Sequence, residues 1–365
     1  MRKIALASTA IAAAALVALA GCSTSSRTGS ATDDAKGFKA GDTIGVALPD
    51  KTSENWVLAG GLFETAIKNA GFKADVQYAG ASNAVADQQQ QISAMTTSGA
   101  KVIIIGAKDG GQLGSQVKAA RDNGAKIIAY DRILENTSNI DYYVAFDNYK
   151  VGQLQGQALL DGLKEKFPSK SKYNIELFAG SPDDPNASVF FKGAMSVLDP
   201  KIKDGTLTVK SGQTDFKQVT TQGWLAQNAQ TRADTLIQGF YPAGTDLDGV
   251  LSPNDTLARA VLASVKSAGK PAIIITGQDS EAASIPLIMT GEQYMTIYKD
   301  TRKLVDQAIK MTTELSKGNK ATTNAETDNK TKKVPTYYLA PVAVTAKNAV
   351  EVYKDNDKLS PLTQQ

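Results

Sequence analysis

The chain carries short apolar runs with no alternating polar face, each separated from the next by a stretch of helical length. Val102-Ile103-Ile104-Ile105 is the clearest, and Lys126-Ile127-Ile128-Ala129-Tyr130 is a second of the same kind. A strand with apolar side chains on both faces must be covered on both faces, as in the parallel sheet of an α/β protein. Around these two runs the pattern predicts strand 43–48, helix 56–70 closed by Gly71, strand 74–78 and a Gln-rich helix 83–98. Strand 101–106, helix 112–123, strand 126–130 and strand 142–146 follow. Parallel neighbours need crossovers of this length. The alternation then restarts with helix 151–166, strand 174–178, helix 190–198, strand 206–210 and a mostly helical stretch 220–238. It continues through strand 249–252, helix 256–268, strand 272–276 and strand 293–298. A long helix 300–315, a polar, loop-like stretch 317–333 and an extended apolar stretch 334–344 complete it. The expectation is an α/β chain of two similar halves, since 365 residues exceed one ordinary core. No residue-level repeat relates the halves.

Composition removes whole classes of chemistry. With 42% apolar and 21% charged residues the chain has the make-up of a globular protein. It contains no histidine, the commonest general base and metal ligand, and its only cysteine is Cys22. Disulfides within the chain, zinc clusters and a cysteine nucleophile in the folded body are therefore excluded. Arg2 and Lys3, an apolar run over 4–20 and the ending Leu19-Ala20-Gly21-Cys22 describe a secretory signal, residues 1–22. The ending resembles a bacterial lipobox, in which the cysteine is acylated and becomes the first residue. Removing Arg2 and Lys3 from the 40 basic residues leaves 38 against 37 acidic ones. A near-neutral balance recruits neither nucleic acid nor an acidic membrane surface. Residues 23–40 are Ser-, Thr-, Gly- and Asp-rich and read as a flexible tether.

Hydrogen-bonding residues follow the predicted strands of both halves. Ser53-Glu54-Asn55-Trp56, Asp131-Arg132 and Asp147-Asn148 do so in the first half. Asp183-Asp184-Pro185-Asn186, Asn254-Asp255, Gln278-Asp279 and Lys299-Asp300 do so in the second. Any one of them is a natural helix cap or turn, because Asp and Asn bond their own backbone there. As a set they sit at the carboxyl ends of strands, where open α/β sheets bind ligands. Asp131 accepts and Arg132 donates in a fork, a pairing suited to neighbouring hydroxyls of a polyol. Trp56 and Trp224, the only tryptophans, offer faces for the C–H side of a sugar ring. The stretch Gly106-Ala107-Lys108-Asp109-Gly110-Gly111 lacks the G-x-G-x-x-G spacing and follows the wrong strand for a dinucleotide site. Asp355-Asn356-Asp357 lacks the glycine and distal glutamate of a calcium loop and reads as a solvated tail. No metal site and no nucleophile motif emerges.

The segments Tyr130-Asp131-Arg132, Phe146-Asp147-Asn148 with Val151-Gly152, and Gly180-Ser181-Pro182 through Asn186-Ala187 carry a resemblance, joined by Gly277-Gln278-Asp279, Gly291-Glu292-Gln293-Tyr294 and Tyr298-Lys299. From about Gly41 onward the chain resembles the periplasmic monosaccharide receptors of ABC importers, in their xylose-binding and multiple-sugar-binding branch. The resemblance implies two Rossmann-like lobes with parallel-sheet cores joined by a three-segment hinge, the type I periplasmic binding protein or Venus-flytrap fold. It implies a first lobe of 41–148 plus 300–333 and a second of 149–299 plus 334–365. Crossovers would lie near Tyr149, Asp300 and Lys333.

The implied sugar contacts fall on Asn55, Trp56, Asp131 and Arg132 from the first lobe, and on Asp184, Asn186, Trp224, Asn254, Asp279 and Lys299 from the second. Asn55 stands where the family often has arginine, and Pro185 where asparagine is usual; both bear on which sugar is taken. The implied protein is a monomer without cofactor, tethered through Cys22 to the outer face of the cytoplasmic membrane. It captures a pentose or hexose and hands it to an ABC permease. A sugar sensor or co-receptor is the nearest alternative. A sugar-responsive transcription regulator would need DNA-binding helices where this chain has its signal and tether. A sugar enzyme would need catalytic groups that the sequence does not supply.

Overall fold

The structure is a computed structural model and describes residues 37–51 and 53–364. The signal and Cys22 lie outside the described residues.

The first half runs β1 (Thr43–Leu48), α1 (Glu54–Asn69), β2 (Lys73–Tyr78), α2 (Ala84–Thr97), β3 (Val102–Ile105), α3 (Gly114–Asp122), β4 (Lys126–Tyr130) and β5 (Tyr142–Phe146). The second runs α4 (Asn148–Lys166), β6 (Tyr173–Leu177), α5 (Pro185–Lys203), β7 (Leu207–Val209), α6 (Phe216–Val219), α7 (Ala226–Phe240), β8 (Gly249–Leu251), α8 (Asp255–Ser267) and β9 (Ile274–Ile275). There follow α9 (Ile285–Met289), β10 (Met295–Tyr298), α10 (Thr301–Ser316), β11 (Ala325–Asp328), β12 (Lys333–Leu339), β13 (Val342–Thr345) and α11 (Ala349–Tyr353).

One large sheet has the order β11-β12-β5-β4-β3-β1-β2, another β7-β6-β8-β9, and β10 with β13 forms a two-stranded antiparallel sheet. Within the two larger sheets all pairings are parallel except β11 with β12. In each half the strand order reverses beside its first strand, β1 or β6. Such a reversal opens a crevice beyond the carboxyl ends of the strands.

The apolar runs explain why both faces of the large sheet are covered. Val102 and Ile104 enter one buried cluster with helix α1 and the late helix α10, while Ile103 and Ile105 enter another with α2 and α3. Side chains alternate across a strand, so one four-residue run supplies both cores. Each such side chain, fully buried, stabilises by about 1.5–3 kcal/mol. The helix α10 packs on α1 and β5, so it belongs with the first sheet although it comes late in the chain.

The structure differs from the sequence reading at five places. The stretch 334–344 is two strands in different sheets: β12 pairs parallel with β5 and β13 antiparallel with β10. Residues 334–339 therefore go with the first sheet. Pro341, which has no N–H to offer a ladder, stands between the two strands. Within the loop-like 317–333, residues 325–328 form β11. The predicted helix 220–238 starts only at Ala226, because Gly223 and Trp224 both take positive φ (67° and 58°). The stretch 355–357 keeps both aspartates exposed but is anchored: Asn356 Nδ2 donates to the Tyr298 hydroxyl at 3.0 Å, Arg302 donates to the Asp355 carbonyl at 2.7 Å, and Leu359 just beyond is buried. At the other end Phe38, expected in the tether, packs on Phe72 with ring centroids 5.5 Å apart.

Candidate functional site

The strand-end residues divide into two kinds. Asp147, Asp184, Asn254 and Asp300 are N-caps, their side chains accepting from backbone N–H groups of α4, α5, α8 and α10. Capping of this kind is worth about 0.5–2 kcal/mol. Asp131 and Asp279 cap nothing and instead take positive φ, 61° and 92°. Together with Trp224, three of the ten predicted contacts hold left-handed backbone. Such backbone is sparsely populated away from glycine and concentrates where a side chain must be aimed. Two donors hold the Asp131 carbonyl: the Tyr143 hydroxyl at 2.7 Å and, from the other half, Asn186 Nδ2 at 3.0 Å.

All ten predicted residues line one cavity: Asn55, Trp56, Asp131 and Arg132 from the first half, Asp184, Asn186, Trp224, Asn254, Asp279 and Lys299 from the second. Its volume is about 100 Å³, on the measure by which a single water needs about 10–15 Å³.

Asp184 joins the two halves. Its Oδ2 accepts from Arg132 Nε at 3.0 Å and from Trp224 Nε1 at 3.1 Å, while its Oδ1 accepts from the Asn186 N–H at 2.9 Å. With its carboxylate so engaged, Asp184 orients the arginine and the indole. Arg132 also donates through Nη1 to the Ala107 and Lys108 carbonyls and lies 5.5 Å from the Trp56 ring centroid. That placement is a cation–π contact. Among the described residues no hydrogen bond engages its Nη2. Trp224 can lie flat on the chain because Gly180 has no side chain; a Cβ there would fall 2.1 Å from the indole. Asn254 spends its Oδ1 on the Leu257 N–H, so its Nδ2 donor remains for a ligand.

Lys299 Nζ donates to Asp279 Oδ1 at 2.9 Å, both side chains being largely buried, and lies 5.6 Å from the Phe190 ring centroid. Burial alone would lower the Lys299 pKa, but the Asp279 and Asp131 carboxylates outweigh it and the net shift is upward. Burial raises the Asp131 pKa against the lowering pull of Lys299 and Arg132. Around the cavity the three carboxylates Asp131, Asp184 and Asp279 face the two cations Arg132 and Lys299, with Asp50–Lys108 a separate pair at 2.7 Å. Donors, acceptors and aromatic faces thus converge from both sheets, with neither charge sign dominant.

Sequence reasoning missed several wall residues. Lys108 and Phe190 follow strands β3 and β6, but neither type signals a ligand alone. Gln278, named only as part of a motif, has a buried Oε1 with no hydrogen-bond partner among the described residues. Asn148, outside the cavity lining, donates to Asn186 Oδ1 at 2.9 Å and aims that amide.

Loops from two separate parallel sheets closing on one polar, aromatic-walled cavity define a ligand-binding receptor of the α/β class. The chain belongs to the family described as periplasmic binding protein domain, whose model matches residues 44–320. It is a binding protein, not an enzyme. It is 43% identical over 317 residues to the multiple sugar-binding periplasmic receptor ChvE of Rhizobium radiobacter, spanning 85% of this chain and 88% of that receptor. It is 34% identical to the D-xylose-binding periplasmic protein of Haemophilus influenzae, over 86% of this chain and 89% of that one. A solved structure of an ABC transporter solute binding protein from Clostridium phytofermentans with bound β-D-glucose is 37% identical, with a TM-score of 0.81. That match covers 88% of this chain and all of the other.

Proposed function

We propose that this chain is an extracytoplasmic receptor that captures one monosaccharide, a pentose or hexose, in the cavity between its sheets and delivers it to an ABC importer. The observation that carries the proposal is the convergence of Asn55, Trp56, Asp131, Arg132, Asp184, Asn186, Trp224, Asn254, Asp279 and Lys299 on a single cavity. A pyranose presents hydroxyls around its rim and C–H groups on its faces, which matches amide, carboxylate and guanidinium edges between two indoles. The sugars named for its relatives support the same class. The proposed lobes are 41–148 with 300–339, and 149–299 with the remainder. Closure around the ring shifts the lobe equilibrium by the sugar's preference for the closed form, the form a permease would recognise. The lipobox resemblance at Cys22 adds a lipid anchor at the outer face of the cytoplasmic membrane.

Calorimetry with a panel of pentoses and hexoses tests the proposal. Charge-assisted hydrogen bonds of about 1.5–3 kcal/mol each, less the cost of closure, predict at least one sugar bound at about micromolar affinity or tighter. If no sugar in the panel bound at about millimolar concentration (roughly 4 kcal/mol), the assignment would fail.

The raised Asp131 pKa adds a sign to the pH dependence. A ligand hydroxyl donating to Asp131 favours the ionised carboxylate, so affinity should weaken as pH falls through the raised value. Binding in that window should release a proton. The unliganded protein behaves oppositely: its folded state holds the proton more tightly than the unfolded chain, so this group's contribution to stability falls as pH rises through the window. Titrations between pH 7 and pH 4.5, compared with Asp131→Asn, check this; identical pH profiles for the two proteins would refute it.

A further inference from the structure

A second cavity, of about 230 Å³, adjoins the first and shares with it the wall residues Asn55, Asp279, Lys299 and Thr301. Its outer side is lined by Glu54 and Leu58 of α1 and by residues 356–359, of which Glu54, Leu58, Asp357 and Lys358 are exposed to solvent. Within that shared wall Lys299 and Asp279 are held by their ion pair at 2.9 Å, whereas Asn55 is held only by long contacts. Asn55 Nδ2 donates to the Asp279 carbonyl at 3.3 Å, and Asn55 Oδ1 accepts from the Thr301 hydroxyl at 3.4 Å. Both are longer than well-formed hydrogen bonds of their types. Turning the amide aside therefore loses little and joins the two spaces.

The chemistry of the second space selects its occupant. Its cations are already paired: Lys358 with Glu54 at 2.8 Å and Arg302 with Asp300 at 2.8 Å. Asp357 adds a further carboxylate, so an anionic substituent finds no welcoming charge there. Leu58, Leu359 and Tyr298 supply apolar wall, while Asn356 and Ser280 supply polar atoms. That combination suits a neutral, hydroxylated group with apolar ring faces.

We infer that the binding site extends past Asn55 into this second cavity, and that the chain accepts neutral glycosides or disaccharides, with one ring in the main cavity and the attached unit in the second. The inference rests on the proposal that the main cavity holds a sugar ring.

The test is calorimetry on the full chain with xylose, arabinose, glucose and galactose, their methyl α- and β-glycosides, and the disaccharides cellobiose, maltose, lactose and melibiose. At least one glycoside or disaccharide should bind within about tenfold of its parent monosaccharide. Leu58→Trp and Asp357→Trp fill the second cavity from opposite walls. Each should weaken that larger ligand by at least about tenfold while leaving the parent sugar within about threefold. Three results would overturn the inference: no ligand larger than a monosaccharide binds, both fillers leave the larger ligand unaffected, or they weaken parent and larger ligand equally. Failure of every monosaccharide would instead remove the functional proposal beneath it.

Discussion

Asp279→Ala should abolish sugar binding while the protein still folds. Asp279 accepts from Lys299 in a wall where the two side chains are 16% and 11% exposed. Alanine removes a charged acceptor from the ligand and leaves a buried ammonium facing Phe190 without its nearest counterion. One or two lost charge-assisted bonds of about 1.5–3 kcal/mol each predict an affinity loss of more than about 100-fold. The backbone should persist, since the Asp279 N–H bonds the Ile297 carbonyl at 2.9 Å whatever the side chain. Alanine is strained at φ 92°, whereas asparagine tolerates that conformation nearly as well as aspartate. Asp279→Asn therefore separates lost charge from strain, and should still weaken binding strongly. Calorimetry paired with thermal melts reads both. Wild-type affinity in either variant would show that this carboxylate does not meet the ligand.

The largest effect on stability should come from Gly152, on the face of α4 that meets α5. A Cβ at Gly152 would lie 1.9 Å from the Phe190 carbonyl oxygen and 2.7 Å from the Ala194 nitrogen. Across the same contact a Cβ at Gly193 would lie 2.2 Å from the Tyr149 carbonyl oxygen. These are backbone atoms, and a backbone cannot swing aside as a side chain does. The helices must separate. Gly152→Ala should cost about 2–3 kcal/mol, the upper part of the range for overpacking, and lower Tm by several degrees. Because α5 begins directly after Asp184 and carries Asn186 in its first turn, sugar affinity should fall as well. A melt within about one degree of the parent would mean that the helices yield more easily than close packing allows.

Much of this was legible in the chain alone, and the physical reason differs from place to place. Strand β1 at residues 43–48 and β4 at 126–130 were read with their full extent, because a strand buried on both faces is a contiguous apolar run. The late helix from Asp300 was readable from its cap and its amphipathic pattern. Its attachment to the first sheet was legible only through the family resemblance, since periodicity does not say which sheet a helix covers. The cut between 334–339 and 342–345 was missed because both pieces are extended and apolar; what separates them is the partner strand each finds. The region 220–225 was read as helix because nothing local announces that Gly223 and Trp224 turn left-handed to lay an indole on Gly180.

The sequence by itself determined the α/β class, the two-half organisation, the exclusion of cysteine and histidine chemistry in the folded body, and the polar residues at the strand ends. These depend on residue type and spacing, which are local. Tertiary structure alone decided which of those polar residues are spent and which remain for a ligand. Asp184 is consumed by Arg132 and Trp224, Asn254 keeps only its amide donor, and the Asp131 carboxylate is engaged only by a long 3.4 Å contact from Asn186 Nδ2. For Asp184 the reason is geometric: Arg132 and Trp224 lie tens of residues away in the chain, and only the packing of the two sheets brings them within hydrogen-bond reach, whereas Asn254 is spent locally on the cap of α8.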